Sequence, residues 1–471
     1  MSKRIFYIIY TIFFCLLFAY VKYPTFLVGF TFFINFAFLS FLLVYNISYE
    51  KIFSPFLSTT IVFQLLFFIV APVIQIHEIV LHGYEGTGHF IQEFPLNTDI
   101  CIRANLYILL FNVCFFIFYY YFSKKVIVKN SFSLPKNLPF VLLLLAVFSV
   151  LIVLLNFNTI VFQFQNELYK EVEVTTVSNY LFVQKFLFFI PLSGVILSYL
   201  YLIKTDKKEP NYKFVVFFLI VFLGILIILK NPLTEKRNAL GPIYITLIFI
   251  LFKRFLNSNY KVTRFMFFAM VLLFPLVTII THSRYSLTQM ISKPIYLYKN
   301  IEYLSVTNAF NSLHYDAYPN FLATIDYCDN KEVVPGKQLT CSVFFFVPRS
   351  IWKNKPETTG FLIGNYLIEK YKFNWNNLSN PYISEGYINF GFTGIILFAF
   401  SLAYMFYLML KWLLGSNYLN SIFAFYFSIY LMYFLRGDLT SGIAYIVAFW
   451  LAINLVSKAI ISIVNYYAKS N

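Results

Sequence analysis

The sequence has 471 residues, of which 60% are apolar and 12% are charged, and its mean hydropathy is +0.73. These values exclude a soluble domain, because apolar runs of about 17–25 residues, long enough to cross roughly 30 Å of hydrocarbon, recur from end to end. The net charge of +16 does not indicate nucleic acid as a partner. Cytoplasmic lysines beside anionic headgroups explain much of it.

The hydropathy pattern predicts an all-α polytopic membrane protein with about twelve spans, in which 1–471 form a single integral membrane domain. The first run follows Lys3 and Arg4, as a signal peptide would. It is followed by Lys22-Tyr23-Pro24 rather than by small residues, so we predict a retained helix. The predicted spans are 5–21, 25–47, 53–76, 104–122, 138–160, 183–203, 214–230, 239–252, 265–281, 387–410, 418–435 and 443–457.

The charge distribution predicts the orientation of the spans. Lysines and arginines concentrate in the loops around 124–136, 204–213 and 253–264, whereas the alternating loops 77–99 and 161–178 are acidic or neutral. Basic loops remain in the cytoplasm. With twelve crossings, every basic loop lies inside, and both termini are expected in the cytoplasm.

One connection, 282–386 between the ninth and tenth spans, is about a hundred residues long and is expected on the outer side. Loops of this size are usually functional. Within it, Ile295–Leu313 has the spacing of an amphipathic surface helix, and the polar stretch Tyr327–Gln338 contains the turn signal Pro335-Gly336. The apolar run Ser342–Val347 is too short to span a membrane.

The large loop also contains two cysteines and two aspartates. Cys328 and Cys341 form either a disulfide, which an outer compartment permits, or two unrelated thiols. Asp326 and Asp329 are the nearest approach to an acidic metal-binding pair, but their polar turn indicates solvated side chains.

Histidines and acidic residues cluster in the first outer loop. Their spacing is compatible with a metal site, but solvated side chains in a loop are the favoured interpretation, and we predict no metal and no cofactor. The cluster consists of His77, Glu78, His82, Glu85, His89 and Glu93.

Four arginines are expected on the outer face, against the charge bias that governs the rest of the chain. They are Arg237, Arg284, Arg349 and Arg436. A cation against this bias suggests an anionic substrate. Guanidinium groups match phosphate oxygens bidentately, and without a metal they can neutralise a leaving diphosphate. The arginines therefore indicate a diphosphate attached to a lipid.

Glu385 is the carboxylate best suited to accept a proton from an attacking sugar hydroxyl. It opens the tenth helix beside the small Gly386, where a substrate could approach closely. Trp352 and Tyr387 offer flat faces for a sugar ring. These features suggest glycosyl transfer.

Each of these residues also has a structural interpretation. A carboxylate such as Glu385 is stabilised by the helix dipole without any catalytic role. Arg349 could bind lipid headgroups, and Arg284 could be an interfacial anchor. Arg436 and Asp438 could form an ion pair across a tight turn.

The residues also carry a family resemblance. The run Phe346–Pro356 resembles a hallmark of bacterial oligosaccharide repeat-unit polymerases, the O-antigen (Wzy-type) polymerase family, and the stretch 379–395 resembles a second hallmark. Leu435–Asp438 and Glu235–Arg237 are similar to further family positions. Lys353 departs from the pattern, where a second proline or small residue is usual. The resemblance covers the C-terminal half in detail and the first half only by topology.

The resemblance implies a GT-C-like fold with a metal-independent site on the periplasmic face of the bacterial inner membrane. Such polymerases transfer a growing glycan from undecaprenyl diphosphate to the next lipid-linked unit. It implies that Arg237, Arg349 and Arg436 are essential. The implied partners are undecaprenyl-diphosphate-linked oligosaccharide, membrane lipids and a chain-length regulator protein.

The leading hypothesis from the sequence is therefore a polymerase of O-antigen or a related surface polysaccharide. Its catalytic residues would be Glu385, Arg237, Arg349 and Arg436, with Asp316 or Asp438 as substitutes for the base. The alternatives are a ligase of the same architecture and, more distantly, a flippase or transporter. The residues expected to bind substrate are Lys236, Arg284, His314, Asp316, Trp352, Lys355, Tyr387, Asn389 and Asp438. For His314 and Asp316, a turn-capping role is the alternative.

Overall fold

The computed structural model describes residues 2–86, 94–128, 137–158, 160, 187–231, 237–273, 292–296, 298, 310–311, 313–451 and 457–470. All regular structure in these residues is helical. Eight of the described helices are long and apolar enough to cross a membrane, and two shorter apolar helices accompany them. The prediction of an all-helical polytopic membrane protein is confirmed for this part of the chain.

The chain divides into two compact units, each assembled from three separate segments. The first unit consists of Met1–Lys125, Leu256–Tyr407 and Leu431–Gly442, and the second of Val126–Phe255, Leu408–Tyr430 and Ile443–Asn471. The single membrane domain expected from the sequence stays a prediction.

In chain order the helices are α1 Lys3–Tyr20, α2 Phe26–Val44, α3 Pro55–Leu65, α4 Ala71–Gly86, α5 Thr98–Ser123, α6 Leu138–Leu155, α7 Phe189–Lys204, α8 Tyr212–Leu229, α9 Arg237–Leu251, α10 Asn259–Phe268, α11 Ala317–Asn330, α12 Lys337–Val343, α13 Thr359–Tyr371, α14 Tyr382–Leu413, α15 Tyr418–Arg436, α16 Leu439–Leu451 and α17 Lys458–Ser470.

Several helices begin at a polar residue whose side chain caps the first turn. Ser2, Thr25, Ser54 and Ser258 each accept a hydrogen bond from the backbone N–H three residues later, and Asn97 does the same for α5. A cap satisfies one of the backbone donors that the helix itself leaves open. In an apolar chain these isolated polar residues therefore define where the membrane helices start.

The first unit is organised around α3. All eleven residues of α3 are buried, and a π-helical turn at Leu66–Val70 joins α3 to α4. Helix α3 packs against α2 and α10, and α2 packs in turn against α5. The most apolar 18 residues of Pro55–Gly83 are all buried, so this span is surrounded by protein rather than by lipid.

Buried amides join these helices to one another. Asn35 on α2 donates to the carbonyl oxygen of Asn105 on α5 at 2.8 Å, and the Asn105 side chain donates to Thr31 at 2.9 Å. Asn46 donates to Ser58 of α3 at 2.9 Å. Inter-helix hydrogen bonds of this kind contribute to membrane-helix association, where the hydrophobic effect between helices is weak.

In the second unit, α8 packs against α6 and α7, and α17 packs against α6. Gly194 of α7 lies directly under the Phe222 ring, which a β-carbon would approach to 2.5 Å. The rings of Phe249 and Phe425 stack with their centroids 3.7 Å apart. Small residues and flat aromatic faces thus allow these helices to approach closely.

Part of the long connection 282–386 is folded. It contains α11, α12, α13 and the first residues of α14. The turn expected at Pro335-Gly336 is present, because Gly336 has a φ of +75°. Helix α11 packs against α5 and α13. Most of the amphipathic stretch Ile295–Leu313 lies outside the described residues.

The chain reverses direction within α14, Tyr382–Leu413. Phe390 and Gly391 have non-helical torsion angles, and Gly391 has a φ of +59°. Across this point, a β-carbon on Gly394 would lie 1.9 Å from the Gly386 carbonyl oxygen. The Tyr382 and Phe398 rings, sixteen residues apart, have centroids separated by 5.0 Å. A continuous helix would separate them by about 24 Å, so the segment 382–389 folds back along the long helix that follows. The predicted span 387–410 missed this reversal.

The reversal predicts a strong size limit at Gly394. Replacing Gly394 with Ala inserts a methyl group against the Gly386 backbone, and we expect a loss of about 1–3 kcal/mol in stability, the usual cost of overpacking. The measurement is thermal unfolding of the purified protein in detergent. Gly224→Ala is the matched control, since a β-carbon there meets nothing within 4 Å. Equal melting temperatures for the two variants would contradict the close approach.

Candidate functional site

Glu385 lies in the first turn of α14, on the short segment before the reversal, and its exposed fraction is 0%. Its carboxylate accepts a hydrogen bond from the Thr359 hydroxyl at 2.7 Å and one from the Leu439 backbone N–H at 3.3 Å. Within the described part of the chain, no lysine, arginine or histidine pairs with it. Glu385 is therefore a buried carboxylate held by two neutral donors.

Asp438 is the second carboxylate at this position. It precedes α16 and caps it, accepting from the backbone N–H groups of Thr440 at 2.9 Å and Ser441 at 3.4 Å. Its other oxygen accepts from the Gly360 N–H at 3.1 Å.

The two carboxylates are bound by the same two short stretches of chain. Thr359 binds Glu385 and the adjacent Gly360 binds Asp438, while Leu439, the residue after Asp438, donates to Glu385. Because the donors are sequence neighbours, the two acidic side chains must lie close together. The acidic pair is therefore positioned by three segments, namely the start of α13, the start of α14 and the turn between α15 and α16.

Gly360 has a steric reason to be glycine. A β-carbon there would lie 2.0 Å from the Leu378 carbonyl oxygen, so α13 presses directly against the chain that leads into α14. Gly386 has a similar reason, since a β-carbon on it would lie 2.6 Å from the Gly394 carbonyl oxygen. The expectation that Gly386 leaves room for a substrate is wrong, because the following helix fills that space.

Arg436, at the end of α15, pairs with Asp316 and not with Asp438. Its Nε donates to Asp316 at 3.0 Å, and its Nη2 donates to the Leu313 carbonyl at 2.6 Å. The Ser379 hydroxyl also lies 2.8 Å from the Asp316 carboxylate. The suggested Arg436–Asp438 ion pair is therefore wrong, because Asp438 caps α16. Nη1 of Arg436 makes no hydrogen bond within the described residues.

The basic segment before α13 is held by its own cations. Arg349 donates to the carbonyl oxygens of Lys355 at 2.8 Å and Pro356 at 3.3 Å, and Lys355 donates to those of Phe345 and Val347, both at 2.9 Å. Two cations that were expected to bind substrate thus also fix the shape of this loop.

The Cys341 thiol connects the basic segment to the acidic pair. Burial raises its pKa, and the charges of Lys355, Asp438 and Arg349 all lie close enough to affect it. A hydrogen bond between Ser342 and Thr440, at 2.9 Å, joins the same helix to the start of α16. Two cations and an acidic residue therefore surround one end of α12. Cys341 is a free thiol, and so is Cys328.

Three of the residues expected to bind substrate have structural contacts. Asn389 accepts from the Leu339 N–H at 2.9 Å and donates to the Glu385 carbonyl at 2.8 Å, so it joins α12 to α14. The Tyr387 ring contacts that of Tyr107, with centroids 5.2 Å apart. Trp352 is half-buried and contacts Phe344 edge-on.

Three of the remaining expected residues lie wholly or partly outside the described residues. Arg237 begins α9 in the second unit, and its side chain is outside the description, as are Lys236 and Arg284 entirely. His314 lies in a single 3₁₀ turn, Leu313–Tyr315, beside Asp316. The convergence of arginines from the whole chain thus stays a prediction.

The histidines and acidic residues expected in the first outer loop form no metal cluster in the described residues. The interpretation of His77 as a solvated loop residue is wrong, because α4 extends through His77, Glu78 and His82. His77 is buried, and its Nδ1 accepts from the Lys22 N–H at 3.0 Å, while His82 lies 3.7 Å from Glu78. The side chain of Glu85, and His89 and Glu93 as a whole, are outside the description.

The sequence interpretation missed a cluster around Asp326. This aspartate is buried and accepts from the Tyr366 hydroxyl at 2.7 Å, from Lys370 at 2.8 Å and from the Tyr371 hydroxyl at 2.9 Å. Burial raises the pKa of Tyr366 to about 12, so its hydroxyl remains a donor at neutral pH. The interpretation of Asp326 as solvated is wrong, because the tertiary fold brings α13 against it. The i, i+4 spacing of Tyr366 and Lys370 was the one available signal.

Asp329, in contrast, forms a partly exposed ion pair with Arg103 of α5. The two aspartates are three residues apart on one helix and face different surroundings. Together, these contacts join α11 to α13 on one side and to α5 on the other.

Comparisons with known proteins returned no match: no family model, no curated protein and no solved structure corresponds to this chain.

The Asp326 cluster predicts a defined pH dependence of stability. Burial raises the Asp326 pKa, but hydrogen bonds from Lys370, Tyr366 and Tyr371 outweigh it and leave the pKa below the ordinary 3.8. Its stabilising contribution is therefore complete above pH 3.8 and is lost as the pH falls through the depressed value. Desolvation lowers the Lys370 pKa, but the same bonds raise it above 10.5, so that contribution is lost only as the pH rises through the raised value.

We expect Asp326→Asn to destabilise the protein by about 2 kcal/mol at neutral pH, since hydrogen bonds to a charged group are lost. Asp329→Asn should cost at most about 1 kcal/mol, as for other exposed ion pairs. Thermal unfolding in detergent between pH 3 and pH 8 measures both variants. An equal cost for the two variants, or an Asp326 effect that persists below the depressed pKa, would contradict the structure.

Proposed function

We propose that this protein polymerises lipid-linked oligosaccharide repeat units by transferring a growing glycan from a polyprenyl diphosphate to the next lipid-linked unit. The proposal includes twelve crossings in a GT-C-like arrangement, a location in the bacterial inner membrane with both termini in the cytoplasm, and metal-independent chemistry at the periplasmic face. The likeness of Phe346–Pro356 and 379–395 to the O-antigen polymerase hallmarks supports it.

The observation that carries the proposal is the joining of a basic loop to a buried acidic pair. Arg349 binds the Lys355 and Pro356 carbonyls, and three residues beyond Pro356 the chain reaches Thr359, which binds Glu385. A glycosyl transfer from a diphosphate needs cations for the leaving group and a carboxylate for the attacking hydroxyl. This stretch of chain carries the cations and binds the two carboxylates, Glu385 and Asp438.

The exposure of Arg349, Asp438 and Glu385 suggests a different role for each. Arg349 is exposed, and its Nε makes no hydrogen bond in the described residues, so it can bind phosphate while it holds the loop. Asp438 is partly exposed, whereas Glu385 is fully buried behind Thr359. We assign proton acceptance to the Glu385–Asp438 pair, with Asp438 nearer to the solvent.

A second candidate is a transporter of lipid-linked glycans. The reversal of α14 at Phe390-Gly391 favours it, since interrupted helices often form the substrate sites of transporters. A transporter needs no carboxylate as a base, so the two functions differ in whether a glycosidic bond forms. A ligase shares the chemistry, and it differs from a polymerase in its product.

The acidic pair is tested by Glu385→Gln and Asp438→Asn in reconstituted vesicles supplied with lipid-linked repeat units. Loss of a general base typically lowers the rate by about 10²–10⁴-fold, so we expect polymer formation to fall by that factor for at least one of the two variants. Glu369→Gln, which removes an exposed ion pair with Lys331, is the control and should leave polymerisation unchanged. Normal polymerisation in both acidic variants would refute the assignment.

The basic loop is tested in cells in which the variant gene is the only copy. Arg349→Ala should abolish long chains and leave single repeat units attached to the surface, as seen by gel electrophoresis of cell-surface polysaccharide. Lys337→Ala is the matched control, because Lys337 is an exposed cation at the start of α12 whose side chain makes no hydrogen bond in the described residues. Arg349→Lys keeps the positive charge but loses the paired N–H donors of the guanidinium group, and we expect partial activity.

The pattern of products separates the candidates. Complete absence of attached glycan would indicate a ligase, and retention of the repeat units inside the cell would indicate a transporter. Full-length polymer from Arg349→Ala at normal protein abundance would refute the diphosphate role.

A further inference from the structure

Among the described residues outside the membrane-spanning helices, a loop exposes several large apolar side chains close together in sequence. It is the segment 343–353, which follows α12. Phe346 and Ile351 have exposed fractions of 68% and 78%, and Val343 and Phe344 are also exposed. Clustered side chains of this size on a surface usually mark a contact with another apolar phase or molecule.

The loop is held at the ends of membrane helices. At the start of α12, the Gly336 N–H donates to the Asn389 carbonyl at 3.1 Å, and the Leu339 N–H donates to the Asn389 side chain. At its end, Ser342 bonds to Thr440. Asn389 lies directly before the reversal of α14, and Thr440 opens α16. The two ends of α12 are therefore fixed where apolar helices begin, which is the depth of a membrane–water boundary.

The loop has a defined shape. Lys355 donates to the carbonyls of Phe345 and Val347, and the Ile351 and Trp352 N–H groups both donate to the Pro348 carbonyl. The apolar side chains therefore project from a backbone that is already held by hydrogen bonds. Burying them costs little conformational entropy, because the loop is ordered beforehand.

The charged residues in and beside the loop 343–353 are all cations. The stretch 333–356 contains Lys337, Arg349, Lys353 and Lys355 and no acidic residue. Apolar tips flanked by cations match the boundary of a lipid leaflet, where acyl chains lie below anionic phosphates. A protein partner of ordinary composition would not require this combination.

We infer that the segment 343–353 inserts Phe346 and Ile351 into the lipid leaflet that it faces, while Lys353 contacts headgroup phosphates. The occupant is the phospholipid bilayer itself. Insertion sets the depth of the loop that leads into Thr359, and it keeps the acidic pair at headgroup level. This inference does not depend on the proposed reaction.

The test measures the depth of two tryptophan probes in the full-length protein. The four native tryptophans are replaced with phenylalanine, and Phe346→Trp or Val334→Trp is added as the reporter. Val334 is the matched control, because it is exposed at 59% and lies in the polar turn before Gly336. Each protein is reconstituted into vesicles with and without phospholipids brominated on the acyl chains.

We expect brominated lipid to reduce the emission of the Phe346→Trp protein by roughly twofold, since interfacial apolar side chains reach about 5–10 Å below the headgroups. The Val334→Trp protein should keep its emission. In vesicles containing phosphatidylglycerol, adding Lys353→Glu should weaken the quenching of the Phe346→Trp reporter. In phosphatidylcholine alone, it should have a smaller effect.

Two results would overturn the inference. Water-like, unquenched emission from the Phe346→Trp reporter in a folded protein would place the loop in solvent. Blue-shifted emission that brominated lipid does not quench would indicate a protein occupant, such as a second copy of the chain. Folding is checked by the thermal unfolding midpoint, which both reporter substitutions should leave unchanged because Phe346 and Val334 are exposed.

Discussion

The close approach of Gly386 and Gly394 is the constraint on which the first unit depends. Gly391 adopts a positive φ that side-chain-bearing residues rarely accept, and the two other glycines remove the β-carbons that would keep the antiparallel segments apart. Without this reversal, Glu385 would lie along a straight helix, far from the α15–α16 turn. Because the chain folds back, one carboxylate reaches the Leu439 N–H and the Thr359 hydroxyl together.

Arg436 forms an ion pair within the protein, whereas Arg349 binds backbone carbonyls. The position of an arginine on the outer face is therefore not sufficient evidence for an anionic substrate. A cation against the positive-inside bias is a reason to expect an anion, and for Arg436 the structure provides one in Asp316. Arg349 satisfies backbone carbonyls in its own loop. Among the described residues, one nitrogen of each guanidinium makes no hydrogen bond. Internal pairing therefore orients each guanidinium and leaves one of its nitrogens for a ligand.

Much of the helical framework could be predicted from hydropathy alone, because a membrane requires long apolar runs that satisfy their own backbone groups. The bounds of α1 and α8 differ by only a few residues from the predictions 5–21 and 214–230. The reversal could not be found this way, since apolar residues flank Phe390-Gly391 on both sides and periodicity carries no information about direction. The partners of Arg436 and Asp326 were also out of reach. Asp316 is 120 residues from Arg436, and Tyr366 is 40 residues from Asp326, distances that only tertiary packing bridges.

Glu385 itself is hard to explain as a purely structural residue. In the described residues, Glu385 accepts hydrogen bonds from neutral groups and has no paired cation. A buried carboxylate in such surroundings carries a desolvation cost that an amide of the same shape would avoid. The two donors bind different oxygens of Glu385. Glutamine could accept from the Leu439 N–H through its carbonyl oxygen and donate its amide N–H to the Thr359 hydroxyl, so the hydrogen bonds alone do not require an acid. The neighbouring Asp438 adds a second negative group and makes the charged form less favourable still. A group retained at such a cost is more readily explained by proton chemistry or ligand binding than by packing, because those are the roles that glutamine cannot fill.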